Sequence, residues 1–599
     1  MAIAFDSAQG FRASVFRFKN DACQNRRFLP TLTRDTELVR VPISGKCNHF
    51  QFHFSYNFGA KLQKNAHLCK KNAKKFGQFK KKQYFCTRFS KKQGAIAQLV
   101  EQRTENPCVP SSILGGTTKN DLMRVVFWFL IANFANRFAH FKNLLYLCRK
   151  FGKMLPVEFI ESMRQQLGNE AELLLRALET EPVTSIRLNS KLDVLTFECD
   201  TDEVPWHVDG YYLSERPQFT LDPLFHAGCY YVQEASSMFI QQILEQYVDT
   251  SSIVLDLCAA PGGKSTLISE YLGADGLLLS NEVVRQRVFI LSENIQKWGN
   301  GNTVVTHNTA EEYGERCKHL FDCILVDAPC SGEGMFRKDE QARAEWSLKA
   351  VKQCAERQRA ILMDIWDALK PGGVLIYSTC TFNEEENEKN VEWLAETLGA
   401  DVLPVDYEPD WGITEGSVGY HFYPHKTKGE GFYVCALRKY ADYIEPIKMK
   451  APKKEAAMPH PEFMPVMRSW LQHPDDWAIR YSDRFATAYP YKYKEIIEWL
   501  GTQLTCISTG FGIGEERGKG IAPQHSLSML KDLRKEAFPN VALTREQALS
   551  YLRTEALSLS DVPLGLCLLT YEGVPLGFAK NVGNRLNNLY PNEWRIRKL

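Results

Sequence analysis

The chain has 599 residues, of which 44% are hydrophobic and 24% charged, which is room for three or four domains of ordinary globular make-up. Its net charge of +2 averages two unlike parts: residues 1–153 carry 28 Lys+Arg against 7 Asp+Glu, and the remainder carries 45 against 64. The longest apolar stretch, Val125–Ala132, is about eight residues, far short of the ~20 a membrane helix needs, and neither Met1 nor Met154 opens a signal peptide.

The 17 cysteines are scattered, with no C-x-x-C pair after Lys153. That points to a reducing cytoplasm rather than to a disulfide framework or a zinc site. Residues 1–153 hold 19 of the 35 Phe and runs such as "KKNAKKFGQFKKKQYF" (70–85), with no sustained helical or strand period. Such a charge run is ordinarily a solvated or nucleic-acid-binding arm. However, "AIAQLVEQRTENPCVPSSILGG" (95–116) resembles the product of translating a transfer RNA gene. Arg103–Pro107 back-translates to CGG ACT GAA AAT CCG, in which CGGA pairs with TCCG around the loop CTGAAAA. On this reading the segment is a spurious or disordered upstream extension and the coding start is Met154. A peptide from residues 1–150 in the native protein's mass spectrum would refute it.

After Met154, Pro156–Leu178 has helical spacing through Phe159, Met163, Leu167, Leu173 and Leu174, and "PVTSIRLN" (182–189) turns toward strand. These open a small α/β subdomain over 154–229. From Tyr230 strands and helices alternate. The expected strands are Ile253–Leu257, Gly276–Ser280, Thr303–Thr306, Cys323–Asp327 and Val374–Ser378, separated by helices such as Ala235–Tyr247, Lys264–Leu272, Val284–Gly299 and Ala350–Ala368. That alternation predicts an α/β fold, a doubly wound Rossmann-like sheet over 230–441. Residues 442–464, rich in Pro and Lys, read as a linker. Residues 465–599, with Gly-punctuated short strands such as "GLCLLTYEGVPLGFAKNV", read as a small β-rich domain.

Ligands of open α/β sheets bind beyond the carboxyl ends of the strands, so those positions carry the functional argument. After the first strand comes "LDLCAAPGGKST" (255–266). Its Pro261-Gly262-Gly263 makes a tight turn into a helix and lets backbone N–H groups face a ligand. A phosphate loop would need Gly where Cys258 stands, and the dinucleotide pattern G-x-G-x-x-G is absent. After the second strand Glu282 is placed to hold two ribose hydroxyls, or is a solvated helix-start residue. After the fourth strand stands "DAPCSGEGMFRK" (327–338), and after the fifth "YSTCTFNEEENE" (377–388), whose acidic run reads as a helix start. Each of Asp327, Cys330 and Cys380 alone suits a structural role. Two thiols and a carboxylate at neighbouring strand ends, beside a Gly-rich turn, are hard to explain as packing.

"CAAPGGK", "DAPCSGEG" and "STCTFNEEENE", in this order, resemble the Fmu/Sun-type family of RNA cytosine-C5 methyltransferases. "YYVQEASSM" (230–238) and "YPHKTKGEGFYV" (423–434) fit the same family. The C-terminal "GKGIAPQHSL" and "NNLYPNEWRI" resemble the PUA-like RNA-binding domain of the branch that modifies 16S ribosomal RNA. The resemblance implies S-adenosylmethionine as cofactor, held by Cys258, Ala259, Ala260, Pro261, Gly262, Gly263 and Lys264, by Glu282, and by Asp327 at the loop edge. Where the family has an Asp after the third strand, this chain has "THNTAEEY", so Asn308 or Thr309 would have to substitute.

By the same resemblance Cys380 is the nucleophile that adds to cytosine C6, Asp327 contacts the ring N3, and Cys330 assists release. The residue argument is that C5 cannot attack a methyl sulfonium until a thiolate at C6 turns it into an enamine carbon. DNA cytosine methyltransferases carry the nucleophile in a Pro-Cys motif, which Pro329-Cys330 imitates, so the reverse assignment stays open. The implied partner is RNA, namely 16S rRNA or the small ribosomal subunit, with tRNA as the alternative substrate. The protein is expected to be a cytoplasmic monomer, with no membrane and no metal. A rival from another class is a non-catalytic RNA-binding assembly factor. The expected phosphate contacts are basic clusters at Arg337-Lys338, Arg517/Lys519, and Arg585, Arg595, Arg597 and Lys598.

Overall fold

The computed structural model describes residues 154–191, 197–440, 462–557, 559 and 562–597, and four short strands near the start of the chain. It divides into Met1–Ser111 and Ser112–Leu599. The first unit is described only as one sheet of Ala2–Asp6, Arg12–Phe16, Thr36–Val41 and Phe50–Ser55. Apart from those strands, the expectation of a disordered or spurious extension lies outside the described residues, as does most of the 442–464 linker.

In the second unit five parallel strands form the centre: β1 (Ile253–Asp256), β2 (Leu277–Asn281), β3 (Thr303–Thr306), β4 (Phe321–Asp327) and β5 (Leu369–Thr379). All five expected strands form, and the last two begin earlier, at Phe321 and Leu369. Their order is β5-β4-β1-β2-β3. The order reverses between β4 and β1, and that switch point is where a doubly wound sheet opens a crevice. β1 to β3 are buried along their whole length, as parallel strands covered on both faces must be. Ile253 and Leu255 point into a core with Tyr313, Leu362 and Ile365. Val254 points the other way, into a core with Ile243, Leu267 and Ile268.

Helices α1 (Gly263–Leu272), α2 (Arg285–Trp298), α3 (Ala310–Arg316), α4 (Leu348–Ile365) and α5 (Glu388–Leu398) connect the strands. On one side of the sheet, β6 (Phe432–Lys439) pairs antiparallel with β5. On the other, β7 (Cys506–Ser508) pairs antiparallel with β3. The β7 pairing was not readable from the sequence: a strand from the C-terminal part of the chain extends the central sheet. Ahead of the sheet, Val157–Leu167 and Ala171–Ala177 are helical, and Thr184–Leu188 lies in a small four-stranded sheet ending at Tyr230–Tyr231. Beyond Phe463 come two further four-stranded sheets, Trp477–Pro523 and Asn540–Asn588 in outer limits. No helix among the described residues is long and apolar enough to cross a membrane.

One expectation is refined and one fails. The helix expected from the acidic run after Phe382 forms, as α5, but begins only at Glu388, because Glu386 and Asn387 are fully buried ahead of it. Arg337 is not available to a phosphate: its guanidinium is sealed in an ion pair with buried Glu430 at 2.8 Å and also donates to the Gly429 carbonyl.

Candidate active site

The crevice between β1 and β4 is built from three strand ends. Asp256 closes β1 and is fully buried. One carboxylate oxygen accepts from Ser265 in α1 at 2.6 Å, and the other has no hydrogen-bond partner among the described residues. Burial, with the nearby Asp327 charge adding to it, pushes this carboxyl up to about 7. The chain then turns through Cys258–Gly262 into α1. Gly262 has φ +121°, a backbone conformation that favours glycine, and this aims the first-turn N–H groups of α1 out of the helix.

The loop is fixed from behind. Ala259 donates to the Asn281 carbonyl at 2.8 Å. Arg287 donates to Ala260 at 2.6 Å, and Asn294 to Pro261 at 2.8 Å. Buried Arg187 donates to Thr266 at 2.6 Å and stacks on Trp298. Cys258 is held protonated, its thiol raised chiefly by burial.

Glu282 follows β2 and is buried. It accepts from the Val284 backbone at 2.7 Å and pairs with Arg287 at 3.3 Å. Thr309 follows β3 and caps α3. Its hydroxyl accepts from Glu312 at 3.2 Å, and its own N–H donates to the Glu312 carboxylate at 3.0 Å. Asn308 bridges Glu312 and the backbone N–H of Thr505. Neither residue hydrogen-bonds the 258–264 loop among the described residues.

At the end of β4, Asp327 accepts from the Lys264 ammonium at 2.9 Å on one oxygen and from the Ser378 hydroxyl at 2.9 Å on the other. Burial opposes the charge on Lys264, but Asp327 outweighs it and the net shift is upward. Three residues on, the Cys330 sulfur lies 3.1 Å from the Cys380 sulfur. Contact with Cys380, then burial, hold the Cys330 thiol well above the ordinary thiol range, so Cys330 keeps its proton. The structure thus brings Asp327, Lys264, Cys330 and Cys380 together beside the glycine turn.

What binds the two thiol loops was not legible in advance. Fully buried Glu333 accepts from the backbone of Phe382 at 2.7 Å and of Asn383 at 3.1 Å, and from the indole of Trp346 at 3.0 Å. Glu386 accepts from the Ser331 backbone at 2.9 Å and from Gln358 at 2.8 Å. Gly334 donates to the Cys380 carbonyl. Each thiol loop therefore lends a carboxylate to the other. A Glu inside a polar run gives no sign of burial, which is why the sequence hid this.

The crevice suits a cationic sulfonium ligand with ribose hydroxyls. Its carboxylates outnumber its cations: Asp327 pairs with Lys264 and Glu282 with Arg287, while one oxygen of buried Asp256 has no hydrogen-bond partner among the described residues.

Similarity to known proteins converges on the same regions. A family profile described as "16S rRNA methyltransferase RsmB/F" matches residues 242–438. "N-terminal domain of 16S rRNA methyltransferase RsmF" matches 155–235, and "Methyltransferase RsmF PUA domain" matches 538–596. Ribosomal RNA small subunit methyltransferase F of Erwinia tasmaniensis is 32% identical, over 73% of this chain and 96% of that protein. Its namesake in Aliivibrio fischeri is 31% identical over 73% and 97%. A solved methyltransferase homologue from Pyrococcus horikoshii is 27% identical, with TM-score 0.42, over 48% of this chain and 96% of that one.

Proposed function

The chain belongs to the RsmB/F family of 16S rRNA methyltransferases, in its RsmF branch, and from that premise we propose that it methylates C5 of a cytosine in 16S rRNA through a covalent adduct to Cys380. It is an S-adenosylmethionine-dependent enzyme, and the cofactor supplies the methyl group. The residues that would hold that cofactor are the 258–264 turn, Glu282 and Asp327, with Thr309 or Asn308 as the contact after the third strand.

The chain's own groups divide the remaining work. Cys380, as thiolate, adds to C6 of a cytosine turned out of its stack. Asp327, steadied by Lys264 and Ser378, hydrogen-bonds the ring at N3 and stabilises the charge that develops there. Cys330 passes its thiol proton to the departing Cys380 sulfur and, as the resulting thiolate, takes the C5 proton while the C6–S bond breaks and the C5–C6 double bond re-forms. A ribosomal RNA substrate puts the reaction in the cytoplasm. The observation that supports this division most directly is the pair of sulfurs 3.1 Å apart, one of them held protonated.

The test is a pair of variants with 16S rRNA. Cys330→Ala is expected to accumulate a protein–RNA adduct that survives denaturing electrophoresis, and Cys380→Ala to form none. The reverse result would exchange the two roles. Bisulfite sequencing of RNA from a deletion strain is expected to lose one methylcytosine in 16S rRNA; loss from tRNA, or no loss, defeats the substrate assignment.

A further inference from the structure

Away from the thiols, a cavity of about 370 Å³ opens where α2 meets the two C-terminal sheets. It is large enough for a small ligand and sits at a junction of elements, as binding cavities commonly do. Its lining includes Phe485 and Arg517 from the first sheet, Gln524, Pro591 and Trp594 beyond it, and Gln296 from the last turn of α2.

Two features set this lining apart from ordinary packing. Phe485 keeps 48% of its surface exposed although it lies on a strand beside the opening. Trp594, by contrast, is held firmly, with its ring against His525 at 5.0 Å and under the Lys297 ammonium at 5.2 Å. The cavity thus offers one open ring and one fixed ring. The Arg517 side chain, which is 59% exposed, adds a cation, its guanidinium held by two hydrogen bonds to the carboxylate of Glu515, which also lines the cavity. The bland reading is a single surface Phe, which is common. It accounts for the exposed ring but not for the cavity behind it or for the second ring and cation lining that cavity.

We infer that this cavity takes one unstacked nucleobase of the RNA substrate, stacked on Phe485 and Trp594, with Arg517 toward the adjoining phosphate. The inference rests on the RNA reading above and adds a second contact to the target cytosine. Aromatic stacking tolerates any base, and Gln296 and Gln524 are the amides in reach. The cavity therefore anchors RNA more than it reads sequence. α2 ties it to the cofactor crevice: Arg287 grips the loop at Ala260, and Gln296 lies nine residues further on, roughly 14 Å along the axis.

Two measurements on the full chain test the inference, using 16S rRNA transcribed with 5-iodouridine, which couples on irradiation to an aromatic ring it stacks on. Cross-linked peptides are expected to contain Phe485 or Trp594; cross-links found only elsewhere overturn the inference. Phe485→Ala is expected to weaken RNA binding roughly 5- to 100-fold and to leave S-adenosylmethionine affinity unchanged, with Phe485→Trp restoring RNA binding. A Phe485→Ala chain that binds and methylates like the parent overturns the cavity assignment alone. A parent chain that transfers no methyl group to 16S rRNA defeats the functional reading instead.

Discussion

Asp327 has a donor on each oxygen, Ser378 on one and Lys264 on the other, and this fixes the rotation of its carboxylate. A hydrogen bond to a charged group contributes about 1.5–3 kcal/mol, and misorientation acts on kcat rather than on ground-state binding. Ser378→Ala is therefore expected to lower kcat by about tenfold or more while S-adenosylmethionine affinity, measured by calorimetry, stays within about twofold. An affinity loss as large as the rate loss would mean that Ser378 supports the crevice rather than the carboxylate. At this scale the sequence was legible where a residue type is chemically unusual. Two cysteines and an aspartate at strand ends stand out. Ser378 also ends an expected strand and does not, because a serine there has a dozen ordinary explanations.

The two thiol loops behave as one element because each donates backbone N–H groups to a carboxylate carried by the other. Glu333→Ala leaves the N–H groups of Phe382 and Asn383 and the Trp346 indole without their acceptor, each a penalty of about 1–3 kcal/mol. The expected outcome is a Tm several degrees lower, together with slower adduct formation in a Cys330→Ala background.

Glu386 adds a pH dependence. Burial, and then the Glu333 charge, raise its carboxyl from the ordinary 4.5 to about 7. A raised acid favours the folded state while protonated, so this stabilisation is complete below about pH 4.5 and is lost as pH rises through about 7. Tm is expected to fall between pH 5 and 8, and Glu386→Gln to make that slope shallower. Asp256, also raised to about 7, retains its share. An unchanged slope would mean that Glu386 is ionised in the fold. Nothing in the sequence signalled this, because burial of Glu386 depends on Ser331 and Gln358, partners about 55 and 28 residues away, which no local pattern reveals.

For the whole molecule, the alternation of strands and helices was enough to place the five strands and the ends that carry the chemistry, since periodicity is a local signal; their order, and with it the switch point, came only with the structure. The contribution of the C-terminal part to that sheet was not readable, because a three-residue strand carries no period. β7 covers the open edge of β3, with His307 donating to the Thr505 carbonyl at 3.0 Å and Thr505 donating to Asn308 at 3.0 Å. It also packs Ile507 against a small core of Ala259, Ala260, Val288, Leu291, Ile295 and Val305, which lies directly under the cofactor turn. The C-terminal part thus supports the 258–262 turn directly. Ile507 is half-buried against that core, and Ile507→Asp sets a charge on its apolar surface, which is unfavourable. The expected outcome is weaker S-adenosylmethionine binding, by about tenfold or more in calorimetry, in a chain whose thiol loops are untouched and whose Cys330→Ala form still traps RNA when the cofactor is saturating. If β7 only seals an edge, Ile507→Asp will lower Tm while leaving cofactor affinity at the parent value.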